Sequence, residues 1–410
     1  MAKTFICDVL PGGGKSSAII NMMNEQKDKK FIYIAPYKDE DKRIVKACRE
    51  RGFVVPKPKG KGGRLENLHT LLREGKNIAS THALFARYTR ETIDLIKAGN
   101  YCLVMDEAFQ IAEILSYTKS DIEIILNANL IDTSGDKVKW VADSYTGGAF
   151  SDLKAYAETG YLQSFKNLFF YWYYPPDVFN AFSEAYVLTY LFDCQFLKYY
   201  FDTHGIKYSN VWVDLIDCKY TLVDYPTTPA HASTLKSKIH ILDNEKINDI
   251  GDARTSLSST WYKNAEEKDK ASLSRMRKNI QNYFKNIVKR QSKDVLWTTF
   301  KSGKDSVAAN GFIKGFAPFN ARATNEFRDK DAVAYAVNVF PNPNYVQFFK
   351  SRGARVNQDG YALSEMVQFI WRSAIREGND IWVYVPSKRM RGLLTKWLDE
   401  LAEGDIQIAQ

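Results

Sequence analysis

Residues 9–20 read VLPGGGKSSAII, three glycines running into a lysine and two hydroxyls. The preceding KTFICDV has strand character, and the following SSAIINMMNE has helical spacing. Glycines between a strand and a helix let backbone N–H groups turn inward around a phosphate, and the helix N-terminus adds a fixed positive partial charge. Gly12, Gly13, Gly14, Lys15, Ser16 and Ser17 are therefore the candidate ATP-binding set. Lys15 can reach the β- and γ-phosphates, and the Ser16 hydroxyl can ligate Mg²⁺. The strict pattern G-x-x-x-x-G-K-[ST] places a glycine at position 9, where Val9 stands, so only its second half is met. A second constellation, CLVMDEA, is an apolar strand that delivers Asp106 and Glu107 to its carboxyl end, where doubly wound sheets bind ligands. Asp106 would hold Mg²⁺, directly or through water, and Glu107 would polarise the attacking water. Loop and acid pair together predict hydrolysis of ATP or GTP.

Positioning those groups requires strands alternating with helices, and the chain supplies them. TFICDVL, KFIYIAPY, NIASTHALF, YCLVMDEA and EAYVLTYLF are strand candidates separated by helical stretches such as DEDKRIVKACRERG. Continuous apolar strands of this kind imply a parallel sheet covered on both faces. The pattern restarts after Gly205, with KIHILD, DVLWTTFK, DAVAYAVNVF and DIWVYVPS as strands. Residues 245–272 are polar and read as a mobile loop. FFYWYYPP at 169–176 reads in two ways, as exposed rings that stack on bases or as a buried run. Six adjacent aromatics cannot all face one side of a strand, so at least half must be buried. SRMRKNIQNYFKNIVKR is a basic amphipathic helix, either a solvated face or a nucleic-acid tract.

With 45% hydrophobic and 26% charged residues, the chain has the balance of an ordinary soluble protein with ample core. Its net charge of +9 favours a polyanionic partner. Five cysteines form neither a C-x-x-C pair nor a cluster with zinc spacing, so buried free thiols in a reducing compartment are expected. No run of about 18 apolar residues is present to span a membrane, and the motif begins too early to leave room for a cleaved leader. A cytoplasmic protein is expected, in the host cytoplasm if a phage encodes it.

The chain resembles superfamily-2 helicases of the DEAD/DEAH type. LPGGGKSS is similar to their motif I and VMDEA to motif II. IYIAPYKDE resembles motif Ia, and IASTHALF resembles motif Ib, which makes Thr81 and His82 candidates for nucleic-acid contact. AYVLTYLF stands where motif III, usually S/T-A-T, would stand, and only Thr189 survives from it. VLWTTFKS resembles motif IV. FNARATNEFRD resembles motif V, with Arg322, Thr324 and Asn325 as candidates for nucleic-acid-backbone or γ-phosphate contact. QFIWRSAIR resembles motif VI, whose glutamine and two arginines reach the nucleotide from the second domain. Gln368 and Arg372 match that spacing, Arg376 falls one residue late, and Trp371 replaces a glycine. Residues 368, 372 and 376 form one stripe on a helix, and either arginine is a candidate finger.

The resemblance implies an α/β fold of two RecA-like domains, parallel sheets flanked by helices, with ATP in the cleft between them. Domain 1 would span 1–205, with an insertion at about 110–180, and domain 2 would span 206–410. The implied activity is that of an ATP-dependent DNA helicase or translocase with Mg²⁺, acting on a single strand or fork in phage replication or recombination, with replication proteins as further partners. Two other readings use the same residues. A terminase-type packaging motor would need a nuclease set of strand-end acids in the C-terminal half, where only Asp329 and Asp331 lie close together. A DNA-binding replication factor would use ATP as a conformational switch.

Overall fold

The apolar runs of the N-terminal half become buried parallel strands. β1 (Lys3–Asp8), β2 (Lys30–Ala35), β3 (Ile78–Thr81) and β4 (Tyr101–Asp106) come first. An insertion carries β5 (Ala112–Leu115), β6 (Leu162–Phe165) and β7 (Phe169–Tyr173), and β8 (Glu184–Thr189) and β9 (Tyr208–Ile216) follow. Their sheet runs in the order β9-β1-β8-β4-β2-β3, with β1–β9, β8–β4, β4–β2 and β2–β3 paired in parallel. The strand entering the glycine loop and the strand ending in the acids are thus separated by one strand, β8. The computed structural model describes residues 3–58, 63–109, 111–115, 117–135, 137–167, 169–320 and 326–404.

Two compact units emerge, neither continuous in sequence. The first comprises Met1–Cys7, Ile19–Val211 and Asn342–Val356; the second comprises Asp8–Ala18, Trp212–Pro341 and Asn357–Gln410. The chain leaves the first unit at Val211, rather than at 205, and returns to it later.

α1 (Lys15–Glu25), which enters the first unit at Ile19, α2 (Lys38–Ala47), α3 (Gly63–Arg73) and α4 (Arg90–Gly99) alternate with the strands. Local chemistry sets their ends. In α4 the Thr89 and Thr92 side chains cap each other's backbone, Ile93 and Ile96 face the core, and Asn100 closes the helix in the left-handed region. The aromatic run resolves as core: all five residues of β7 are buried, between β5 and β6 in an antiparallel sheet. Their polar tips matter locally. Tyr174, next in sequence, donates its hydroxyl to Phe85 O at 2.9 Å, and Tyr200, on α5 (Phe196–Thr203), donates to Tyr174 O at 2.7 Å.

The second unit begins where the outer half of β9 pairs antiparallel with β10 (Lys219–Val223). Its own sheet contains β11 (Ile239–Ile241), β12 (Val295–Thr298), β13 (Ala332–Tyr335) and β14 (Ile381–Tyr384), in the order β11-β14-β13-β12, with parallel pairs. The polar stretch 245–272 is not a mobile loop, contrary to its composition. It holds α6 (Ser259–Lys268) and the start of α7 (Lys270–Asn282). Its polar residues act as caps: Asn244, Ser258 and Asp269 each accept a backbone N–H. Tyr262 anchors the segment, fully buried and donating to Ala336 O at 2.7 Å. Helix α7 buries Leu273, Met276 and Ile280 and turns Arg275 outward, against Asp249.

Between Pro341 and Asn357 the chain re-enters the first unit as α8 (Pro343–Lys350). Phe348 lies 4.5 Å from Tyr171 and 5.2 Å from Tyr173, ring to ring. Phe349 lies 5.7 Å from Phe196, and Tyr345 donates to Ala112 O at 2.5 Å. Two long helices of the second unit follow, α9 (Gln358–Ile370) and α10 (Lys388–Glu403).

Candidate nucleotide site

The glycine loop is shaped by its own backbone. Gly13 N–H donates to Leu10 O at 3.0 Å, and Ala18 N–H donates to Gly14 O at 2.9 Å as α1 begins. Gly12 and Gly14 are left-handed, with φ +79° and +83°, a region other residues enter only at a cost. Space forbids a side chain as well: a Cβ on Gly14 would lie 2.3 Å from Tyr220 Cδ1, and one on Gly13 would lie 2.6 Å from Val9 Cγ1. Val9 therefore has a structural reason to replace the expected glycine, since its buried side chain supports the turn from beneath. The Lys15 ammonium folds back onto its own loop and donates to the carbonyls of Val9 and Leu10. Ser16 is half-buried and Ser17 exposed.

Three side chains border this loop within the second unit; the sequence marks Trp371 only as a departure from motif VI, and Tyr220 and His231 not at all. Tyr220 stands over Gly14. His231 sets its Nε2 3.0 Å from Pro11 O. Burial, reinforced by the Lys15 charge, holds the His231 pKa below its ordinary value. The ring is thus neutral near pH 7, and facing a carbonyl, Nε2 must carry its proton. Trp371 lies beside His231, ring centroids 5.6 Å apart, and borders Gly12.

The acid pair belongs to the first unit. Asp106 Oδ2 accepts from the Tyr33 hydroxyl at 2.5 Å, with Arg43 Nη2 at 3.9 Å. Burial, with Asp106 beside it, drives the Tyr33 phenol well above its ordinary pKa, so it remains a donor. Arg43 is itself held by Glu40 at 2.5 Å. Register explains the Tyr33 contact: Tyr33 pairs with Val104, and Asp106, two residues on, projects from the same sheet face. Glu107 adopts φ +61° while its N–H donates to Leu188 O at 2.9 Å. A non-glycine residue in that region stores strain of the kind found at functional positions.

His82, a candidate nucleic-acid contact, places its Nε2 3.1 Å from Asp106 O and its ring edge-on to Phe109. It thus ties the end of β3 to the end of β4. Thr81 ends β3, half-buried, and precedes the helical turn His82–Phe85 without a side-chain capping bond. Thr189 is buried and donates to Gln195 Oε1 at 2.9 Å. Arg322, Thr324 and Asn325 lie outside the described residues.

The expected stripe through 368, 372 and 376 is not formed on one helix. α9 ends at Ile370. Ser373 N–H then bonds to Ile370 O in a tighter turn, its hydroxyl accompanies it at 2.7 Å, and Ala374 N–H turns to Lys330 O. Gln368 donates to Ser364 Oγ at 3.2 Å. Arg372 is only 6% exposed, with Nη1 3.4 Å from Pro318 O and its guanidinium over Phe369. Arg376 is exposed on the turn Ala374–Glu377. The residue of this motif that borders the glycine loop is Trp371.

Among the described residues no cluster of three or more His, Cys, Asp or Glu side chains could hold a metal, and no helix is long and apolar enough to cross a membrane. Cys7, Cys48, Cys102 and Cys194 are buried, whereas Cys218 is exposed.

Fold and loop define an α/β protein of RecA-like type, with parallel sheets flanked by helices and a glycine loop leaving its first strand. The family profile described as the YonV C-terminal Rossmann-like domain matches residues 233–398. The SPbeta prophage-derived uncharacterized protein YonV of Bacillus subtilis (strain 168) is 39% identical over 412 residues, covering 97% of this chain and 99% of that protein. The chain belongs to the YonV family. Two solved structures align over nearly its whole length. One, described as "XPD_APO", covers 97% of this chain and 95% of its own at 14% identity and TM-score 0.49. The other, of S. tokodaii Xpd4, covers 99% and 95% at 11% identity and TM-score 0.48. Likeness at this level decides neither fold nor function.

Proposed function

We propose that the chain hydrolyses ATP and couples the cycle to movement along nucleic acid, as a DNA helicase or translocase. One observation carries the reading: a left-handed glycine loop with its lysine follows β1, and a strand ending in Asp106–Glu107 lies one strand away in the same parallel sheet. The groups present suit a Mg²⁺–nucleotide. Loop 12–17 offers backbone N–H groups at a helix N-terminus, Lys15 offers an ammonium, and Asp106 offers a carboxylate fixed by Tyr33. Ser16 and Asp106 would hold Mg²⁺, which when bound neutralises developing phosphate charge. Glu107 would take up the proton of the attacking water. Arg372 or Arg376 would provide the closing guanidinium, and Thr81, His82, Arg322, Thr324 and Asn325 the nucleic-acid grip. The net charge of +9 agrees with a polyanionic track. The prophage origin of the Bacillus subtilis relative agrees with work on phage DNA in replication or recombination, alongside replication proteins.

The test is ATP turnover with and without single-stranded DNA, single-stranded RNA and forked duplex. DNA should stimulate turnover severalfold, and Lys15→Ala should abolish it. Turnover that survives Lys15→Ala sinks the loop assignment. Single-round hydrolysis without stimulation favours the switch reading instead. Arg372→Ala and Arg376→Ala both keeping the wild-type rate would make the motif VI match accidental.

A further inference from the structure

The wall of the glycine loop contains a polar group left unsatisfied among the described residues. Trp371 is 8% exposed, and its indole Nε1 has no hydrogen-bond partner among them. The position of that nitrogen is specific: a Cβ on Gly12 would lie 3.0 Å from Trp371 Cζ2 and 3.3 Å from Nε1. The N–H edge of the ring therefore borders the loop where the backbone turns left-handed at Gly12. An indole N–H can only donate, and buried ones nearly always meet an acceptor. His231, the neighbouring ring, cannot compete for that acceptor, because its own Nε2–H is engaged with Pro11 O. Other buried donors also go without partners among the described residues, Tyr88, Trp172, Tyr173 and Tyr335 among them, but these rings are packed in hydrophobic core and not against the glycine loop.

We propose that the Trp371 indole N–H donates to a phosphate oxygen of the nucleotide held by loop 12–17. This rests on the reading of that loop as a nucleotide site, and it adds a binding residue which the motif resemblance does not. The glycine of the helicase pattern is replaced here by a ring, and that ring provides a neutral donor. Gly12 then has two reasons to lack a side chain: its left-handed φ and its closeness to the indole edge.

The Trp371→Phe variant keeps an aromatic ring and removes the donor together with part of the indole's volume. Calorimetric titration with Mg-ATP should show affinity weakened about tenfold. The Mg-ATP-induced rise in melting temperature should shrink, beyond the fall in nucleotide-free melting temperature that the smaller ring causes. A purely structural role predicts only the lower nucleotide-free melting temperature, with affinity retained, and that result overturns the proposal. A second measurement needs no variant. Of the 8 tryptophans, one indole N–H resonance of ¹⁵N-labelled wild-type protein should move downfield on adding Mg-ATP, and the absence of any such shift also overturns the proposal. Lys15→Ala run in parallel separates the two levels. If it abolishes binding while Trp371→Phe binds like wild type, the nucleotide site stands and the Trp371 role falls. If Lys15→Ala binds and turns over ATP normally, both fall.

Discussion

Phe348→Ala should destabilise the first unit from a position far outside its main stretch of sequence. Phe348 is 2% exposed, packs against Tyr171 and Tyr173, touches Phe349 at 5.0 Å, and carries the Arg352 guanidinium 3.7 Å above its ring. Truncating a buried phenylalanine costs about 3–5 kcal/mol. The lost cation–π contact places this site in the upper half of that range, at about 4–5 kcal/mol. For a unit of this size, that lowers the melting temperature by about 10 °C or more. Hydrogen exchange should localise the effect. Amides of β5, β6, β7 and α5 should lose protection, whereas those of β12, β13 and β14 should not. A loss under about 1 kcal/mol, or protection lost only around β12–β14, would refute the assignment of α8 to the first unit.

Three other outcomes follow from local geometry. Gly14→Ala should weaken ATP binding at least about tenfold, because φ +83° and a Tyr220 ring atom 2.3 Å from the new Cβ both oppose it. Adding Tyr220→Ala should recover only the steric part, and full recovery would show that the backbone conformation is immaterial. Tyr33→Phe should lower kcat about tenfold with little change in KM, since it removes the donor that fixes Asp106; an unchanged kcat in steady-state assays argues against a role for that carboxylate. Asp41 is 1% exposed, and burial pushes its carboxyl up to about 7. The fold therefore favours the neutral acid, and wild-type stability declines as pH rises from about 4 towards 7. Asp41→Asn should raise the melting temperature by an amount that grows between pH 5 and pH 7 and then levels, and a gain independent of pH would be inconsistent with this.

What could be read from the sequence was local and periodic. The glycine loop, the acids closing β4 and the unbroken apolar strands are short patterns whose cause lies within a few residues. Composition misled at 245–272, where polar residues serve as caps and one tyrosine supplies the anchor. Helical spacing misled at 368–376, because α9 is stopped by an N–H drawn to Lys330 O from another part of the chain. Tyr33 was discoverable in principle as a lone hydroxyl in an apolar strand, once its register with β4 is known. Tyr220 and His231 gave no local sign, and Trp371 stood out only as a departure from the motif VI pattern, since their relation to the loop exists only in three dimensions. The unit to which PNYVQFFK belongs was equally hidden, because an amphipathic helix does not record which core it fills.

The return of residues 342–356 to the first unit has a consequence for synthesis. A ribosome delivers the chain from its amino end, and domains generally fold as they emerge. Here the amino-terminal unit cannot close its aromatic core until a helix encoded far downstream has been made. Phe348 and its neighbours arrive last, so the nascent chain must carry an open apolar seat through much of translation. No single cut can divide the gene into two self-sufficient halves.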